Sequence, residues 1–342
     1  MKMSNVKNQT EVLARLNYNE LPFSPTDVVV RAAQKYCSDT NRYPEVDSRT
    51  LRQALADHHD VPLDWVATGA GTAVVIHQIM IASGQGDIAF AWPSFDAFPP
   101  MAAGLRMQAH LTATTADGAC DLGELLRAIT PQTTMVIVCT PNSPTGGIVR
   151  HDELVEFLQA VPSHVTVLID EAYYEFAQDS DVPRSLELVR QYPNVVMSRT
   201  FSKAYGLAGF RVGYAIAQPS LAERIRQAGV PFAIPVPAQM AALEVLQHPA
   251  DTQRRVATIL RERARLAEVL RAQGAPVVVG HGNFVWLPLG KDTSKIGDDL
   301  LRRGVAVKIY DGLGLRVTVG TSHENDMFIA AWNISIAATI SR

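Results

Sequence analysis

A chain of 342 residues with 47% hydrophobic and 19% charged residues is globular rather than disordered, and long enough for one large domain and a smaller one at roughly 100–200 residues per domain. A net charge of −3, from 31 basic and 34 acidic residues, excludes the basic footprint of a nucleic-acid binder. Three widely spaced cysteines, Cys37, Cys120 and Cys139, argue against a disulfide framework or a zinc site and fit a reducing cytosol.

Met1–Thr10 is polar and lacks the apolar core of a signal peptide, and no run approaches the ~18 apolar residues of a membrane span. The expectation is a soluble, cytoplasmic protein. A first strand pattern, Asp64–Thr68, leads into Gly69-Ala70-Gly71-Thr72 and an apolar helix pattern over Ala73–Ile81. Such a glycine turn before a helix exposes backbone N–H groups to an anion. It is not a dinucleotide fingerprint, because position 74 is Val74 rather than glycine.

Met135–Cys139 is an apolar run that ends at Thr140-Pro-Asn-Ser-Pro-Thr-Gly146, and helical spacing of Leu154, Phe157, Leu158 and Val161 follows. Further runs are Val165–Ile169, ending at Asp170, then Val195–Met197, ending near Lys203, and Val212–Ile216. Strand and helix in this rhythm predict an α/β fold with a mostly parallel sheet flanked by helices, whose ligands sit beyond the strands' C-terminal ends.

The character changes near residue 240. A long charged helix pattern covers Asp251–Gln273, its arginines reading as a solvated face. Strand patterns at Pro276–Val279, Phe284–Leu287, Val305–Ile309 and Leu315–Val319 follow, with helices at Ser294–Arg303 and after His323. The expected organisation is a large domain over 30–240 and a smaller α+β domain built from 1–29 with 241–342.

Three segments carry chemistry. Only seven lysines occur, and Lys203 alone sits within a motif, Ser198-Arg-Thr-Phe-Ser-Lys203 followed by Arg211. An amine there can form a Schiff base if its neighbours lower its pKa, and Thr200, Ser202 and Arg211 could hold a phosphate. A surface lysine in a flexible loop is the competing reading. Asp170 follows a buried-looking strand, where it could hold a pyridine nitrogen protonated or serve as a helix N-cap. Asn142 lies in a loop stiffened by two prolines, either as a positioned donor or as part of a simple turn. The nine histidines show no metal-ligand spacing, so no metal is expected, and His77 reads as a core histidine.

Taken together and in order, Pro141-Asn-Ser-Pro-Thr-Gly146, Asp170-Glu-Ala-Tyr173 and Ser202-Lys203…Leu207-Ala-Gly-Phe-Arg211 resemble fold-type I pyridoxal phosphate enzymes of the class I/II aminotransferases. Asn19–Phe23, Asn41–Pro44 and Leu315–Thr321 make the chain similar to the histidinol-phosphate aminotransferase group within them. Phe90–Phe98, Gly69-Ala-Gly71 and Val230-Pro-Phe232 resemble the actinobacterial-type aromatic (phenylalanine) aminotransferases of that group.

The resemblance implies that pyridoxal 5'-phosphate is held by Lys203 as an internal aldimine. Asp170 would pair with the ring nitrogen, Asn142 and Tyr173 would meet the ring hydroxyl, and Phe95 would stack on the ring. Ala70, Gly71, Thr200, Ser202 and Arg211 would take the phosphate, with Tyr43 reaching it from the other subunit of a homodimer. Arg316 would clamp the substrate carboxylate, with Asn142, Phe23 and Trp92 also on the substrate side.

The implied activity moves an amino group between phenylalanine or tyrosine and a 2-oxo acid such as 2-oxoglutarate. Histidinol-phosphate transamination is the alternative. Against it, the group usually has Asp-Glu where Gly71-Thr72 stands, and Asn-Pro-Tyr where Leu21-Pro22-Phe23 stands. A decarboxylase or oxidase on the same scaffold is a second alternative. A regulatory effector-binding module is a third; it would need a fused DNA-binding domain, while the resemblance begins by Leu16.

Overall fold

The computed structural model describes residues 12–340, so the polar start of the chain lies outside the described residues. In chain order the main elements are β1 (Ala14–Leu16), α1 (Asp27–Lys35), α2 (Arg49–His59), β2 (Val66–Gly69), α3 (Thr72–Ala82), β3 (Asp87–Ala91), α4 (Phe98–Gly104), β4 (Ala109–Thr112), α5 (Leu122–Arg127), β5 (Thr133–Cys139), α6 (His151–Ala160) and β6 (Thr166–Asp170). They continue with α7 (Ser185–Gln191), β7 (Val195–Thr200), β8 (Gly213–Ala217), α8 (Pro219–Gln227), α9 (Val236–Gln247), α10 (Pro249–Ala272), β9 (Phe284–Leu287), α11 (Thr293–Arg302), β10 (Val305–Tyr310), β11 (Gly314–Thr318) and α12 (Ser322–Ile340).

The chain divides into two compact units. The larger comprises Phe23–Ala257 with Gly280–Gly282, and the smaller comprises residues up to Pro22, Thr258–Val279 and Asn283–Arg342. The change of character near 240 coincides with α9. That helix packs on α1 and α2 of the larger unit, and the chain passes to the smaller unit inside α10.

The larger unit is built on a seven-stranded sheet in the order β2-β8-β7-β6-β5-β3-β4. The five strands from β7 to β4 pair in parallel, whereas β8 runs antiparallel to both neighbours. Alternate residues of each strand feed different cores, as the two-residue strand period requires. Val136, Val138, Val167, Ile169, Val195 and Met197 join one core. Met135, Ile137, Cys139, Leu168 and Val196 join the other, under α3, α4 and α8. Both faces are therefore covered, which is why these strands read as continuous apolar runs.

The smaller unit has a four-stranded sheet in the order β1-β10-β11-β9, with only β1 and β10 parallel. Its core joins Leu16, Val285, Leu287, Leu315 and Val317 to Leu266, Leu270, Phe328 and Trp332. Two expectations fail here. Pro276–Val279 is not a strand: Val278 alone makes an isolated bridge to Trp286, and Pro276 has no N–H for a ladder. Arg263 is not on a solvated face; it is 6% exposed, and burial pushes its guanidinium down to about 10.

Candidate active site

Three neighbouring strands of the larger unit pair in register, with Cys139 beside Asp170 and Asp170 beside Ser198. Strand alternation turns all three toward the face of Leu168 and Val196. Asp170 is 3% exposed. Its Oδ1 accepts a hydrogen bond from Ser198 Oγ at 2.9 Å, and the Cys139 thiol lies 3.9 Å from Oδ2. Burial pushes the Asp170 carboxyl up to about 6; the Ser198 and Cys139 hydrogen bonds oppose that rise and the charge of Glu171 adds to it. No cation among the described residues forms an ion pair with it.

The next residue of each strand points the other way. Glu171 accepts from Arg199 Nε at 2.9 Å and from Ser185 Oγ at 2.6 Å, and the Arg199 guanidinium sits 3.7 Å above the Tyr174 ring. Polar groups thus fill both faces at the end of the β6–β7 pair.

Lys203 follows β7 in a turn anchored by buried Phe201 and closed by the Gly206 N–H on the Lys203 carbonyl. Its side chain is half-buried, with Nζ 5.9 Å from the ring centroid of Tyr173, itself buried.

The same loops bring a glycine-led helix end and a guanidinium together. Gly71 takes the N-cap position of α3, so no capping side chain occupies that helix end. Its φ is +87°, and a Cβ there would lie 2.2 Å from Arg211 Nη2. Arg211 also has positive φ, 58°, which is strained for a side-chain-bearing residue. Its Nη1 donates to the Ala208 carbonyl at 2.9 Å and to Ser202 Oγ at 3.4 Å. The Ser202 N–H donates to Thr200 Oγ1 at 3.1 Å. Gly71, Thr200, Ser202 and Arg211 are brought together, and half-buried Ala70 precedes them.

Asn142 is fully buried. Both of its amide hydrogens are committed, to the Pro93 carbonyl at 2.9 Å and to Thr145 Oγ1 at 2.7 Å. Its Oδ1 accepts from Ser94 Oγ at 2.8 Å. Asn142 ties the segment that carries Trp92 and Phe95 to the loop after β5. Phe95 and Trp92 are both half-buried against the second core, Phe95 edge-on to Phe98 with centroids 5.3 Å apart.

Tyr43 stands apart from these groups. It is 84% exposed, 5.0 Å from the ring of Phe232, whose backbone also has positive φ. Phe23 is half-buried at the first position of the larger unit.

In the smaller unit, Arg316 is buried in β11. Nη2 donates to the Asn17 carbonyl at 2.8 Å, and Nη1 lies 3.5 Å from the Tyr310 hydroxyl. The rings of Phe284 and Tyr310 flank the guanidinium at about 6 Å.

Ser198, Cys139, Glu171 and Arg199 were not singled out from sequence. The signal was available only in pairs: residues at matching strand ends, one or two positions from Asp170 and Thr200, whose partnership depends on register.

The aminotransferase class I and II family model matches residues 11–331. The aromatic amino acid aminotransferase of Streptomyces coelicolor is 42% identical over 93% of this chain and 89% of its own length. That of Thermobifida fusca is 41% identical over 92% and 88%. Among solved structures, histidinol-phosphate aminotransferase from Sinorhizobium meliloti in complex with pyridoxal-5'-phosphate superposes with a TM-score of 0.87 at 27% identity, covering 96% of this chain and 92% of that one.

Proposed function

The chain belongs to the class I and II aminotransferases, and we propose that it exchanges an amino group between phenylalanine or tyrosine and a 2-oxo acid such as 2-oxoglutarate. Pyridoxal 5'-phosphate is the proposed cofactor, attached through Lys203 Nζ. The names of the relatives at about 40% identity support the aromatic donor.

The residues present fit the cofactor. It brings an aldehyde, a phosphate and a basic ring nitrogen, and the larger unit offers an amine, an anion cradle that a Cβ at Gly71 would obstruct, and a buried carboxylate without a cation. When bound, the cofactor supplies an aromatic system that takes up the electron pair left by C–H cleavage at the amino acid's α-carbon.

The chain's own residues do the rest. Lys203 Nζ, displaced from the cofactor by the substrate's amine, would carry the proton from that carbon to the cofactor's carbonyl carbon. Asp170, ionised, balances a positive charge at the ring nitrogen, and Tyr173 donates to the ring hydroxyl oxygen. Phe95 supplies an apolar face for the ring. The Ala70 and Gly71 amides, Thr200, Ser202 and Arg211 hold the phosphate. Arg316 binds the substrate carboxylate with its planar fork, which lysine could not reproduce. Phe23 and Trp92 are assigned to the substrate side chain. The enzyme is proposed to be a homodimer, with exposed Tyr43 reaching the phosphate of the other subunit.

The observation that carries this reading is the juxtaposition of buried Asp170 with the Lys203 turn and the cradle around Gly71 and Arg211. Borohydride reduction of the cofactor-loaded protein, followed by peptide mapping, is expected to fix the cofactor to Lys203. A donor panel with 2-oxoglutarate is expected to favour phenylalanine and tyrosine. Turnover of histidinol phosphate with none of phenylalanine would overturn the donor assignment, and protein that takes up no cofactor would overturn the whole reading.

A further inference from the structure

We propose that Ser198 and Cys139 are positioning residues that keep Asp170 ionised, so that it pairs with a protonated ring nitrogen; this rests on the cofactor reading above. Cys139 and Asp170 end the adjacent parallel strands β5 and β6, and Ser198 stands beside Asp170 in β7, so the sheet itself fixes their spacing. Each Asp170 oxygen faces one donor: Oδ1 takes Ser198 Oγ at 2.9 Å and Oδ2 faces the Cys139 thiol at 3.9 Å.

The carboxylate needs this help. Removal from water penalises its charge, and the charge of neighbouring Glu171 adds to the penalty. Glu171 is itself held on the far face by Arg199 and Ser185, and among the described residues no cation forms an ion pair with Asp170. Burial and Glu171 push the Asp170 carboxyl toward its neutral form, and the two donors oppose that push. Loss of a donor favours the neutral carboxyl, which cannot balance a pyridinium charge.

The serine is the stronger of the two donors. Its hydroxyl is at normal hydrogen-bond distance and is 0% exposed. The thiol is a weaker donor and also lies 3.7 Å from the Pro141 carbonyl. Burial and the Asp170 charge push the Cys139 thiol well above its ordinary range, so it remains an S–H donor wherever the enzyme works.

The test loads the full-length protein with cofactor carrying ¹⁵N in the ring and reads the nitrogen chemical shift, which reports protonation directly. Wild type is expected to show a protonated nitrogen at neutral pH. In Ser198→Ala the resonance is expected to move toward the unprotonated value, and its titration midpoint to fall by about one pH unit. In the same variant kcat should fall about tenfold or more with little change in the donor KM. Ser198→Thr should restore the wild-type resonance, and Cys139→Ala should show a smaller shift in the same direction. A Ser198→Ala resonance identical to wild type overturns the proposal while leaving the cofactor reading intact. Wild-type protein that takes up no cofactor overturns both. If Ser198→Ala does not fold, an unshifted resonance in Cys139→Ala overturns the proposal.

Discussion

Arg199 Nε donates to Glu171 Oε2 at 2.9 Å across the ends of β7 and β6, on the sheet face opposite the Ser198–Asp170 hydrogen bond. The two bonds use consecutive residues of the same two strands. One face thus carries an ion pair, and on the other no cation among the described residues pairs with the carboxylate. The ion pair holds the strand ends together.

That division sets the first expectation. Glu171 is almost fully buried and Arg199 nearly so. Arg199→Met leaves the buried Glu171 charge without its cation, at a cost of about 3–5 kcal/mol, while in Glu171→Gln the charge of Glu175 still acts on Arg199 and the cost is expected to be smaller. The double variant is expected to cost less than the sum of the two. Urea unfolding of all four proteins measures the coupling, and additivity within about 0.5 kcal/mol would contradict it.

Asp170→Asn should trade stability against function. The folded-state value of about 6 lies above the unfolded value near 3.8. Between those two pH values the folded protein keeps a proton that the unfolded chain has released, so cofactor-free stability falls as pH rises and levels off above about 6. The uncharged amide of the variant carries no such penalty. Without cofactor, Asp170→Asn is expected to be more stable than wild type above pH 6, by on the order of 2–3 kcal/mol, and equal to it near pH 3.5. Aminotransfer should fall by about a thousandfold or more. A stability difference that does not vary with pH would count against the burial argument.

Gly71→Ala should weaken cofactor binding more than folding. The new Cβ would meet the end of the Arg211 side chain rather than backbone, so the guanidinium can yield, but only by leaving the cradle. The positive φ adds about 1 kcal/mol of strain. A fluorescence titration should show cofactor affinity reduced about tenfold or more. Gly213 offers the contrast, because a Cβ there would meet the Thr72 backbone nitrogen at 2.4 Å. Gly213→Ala is expected to cost fold stability as well, which thermal melts of the cofactor-free proteins would separate.

Asn142→Asp keeps the side-chain shape but removes both hydrogens now given to Pro93 and Thr145. It is expected to destabilise the protein by about 1–3 kcal/mol and to weaken cofactor uptake. Combined with Ser94→Ala it should be non-additive, since both changes release the same loop. Wild-type stability with selective loss of cofactor affinity would instead favour a direct contact from Asn142.

Arg316→Lys tests the carboxylate assignment. A single ammonium replaces a planar fork, so kcat/KM for phenylalanine is expected to fall by about 10- to 100-fold, mainly through KM. The absorbance of the bound cofactor should stay unchanged. A kcat effect with an altered cofactor spectrum would move Arg316 to another role.

Much of this was legible in the sequence. The strand runs Met135–Cys139, Val165–Ile169 and Val195–Met197 followed from apolar periodicity, because a sheet covered on both faces leaves uninterrupted apolar strands; the last runs on to Thr200 through polar Ser198 and Arg199. Lys203, Gly71 and Arg211 announced themselves through unusual residue types at strand and helix ends. What sequence could not supply was pairing. Ser198 and Cys139 gain meaning only from register with Asp170, and Asn142 proved to be engaged because loops distant in sequence converge on it. Arg263 misled because it was read with the helix's other arginines, although three-residue spacing sets it between Leu260 and Leu266 on the apolar side.

The most direct measurement mixes the cofactor-loaded protein with phenylalanine alone, with no 2-oxo acid present. The expected result is bleaching of the bound cofactor's visible absorbance with release of one equivalent of phenylpyruvate per site, reversed by adding 2-oxoglutarate and abolished in Lys203→Ala. An unchanged spectrum with phenylalanine and tyrosine, in protein that has taken up cofactor and responds to a different amino donor, would contradict the aromatic aminotransfer assigned to this chain.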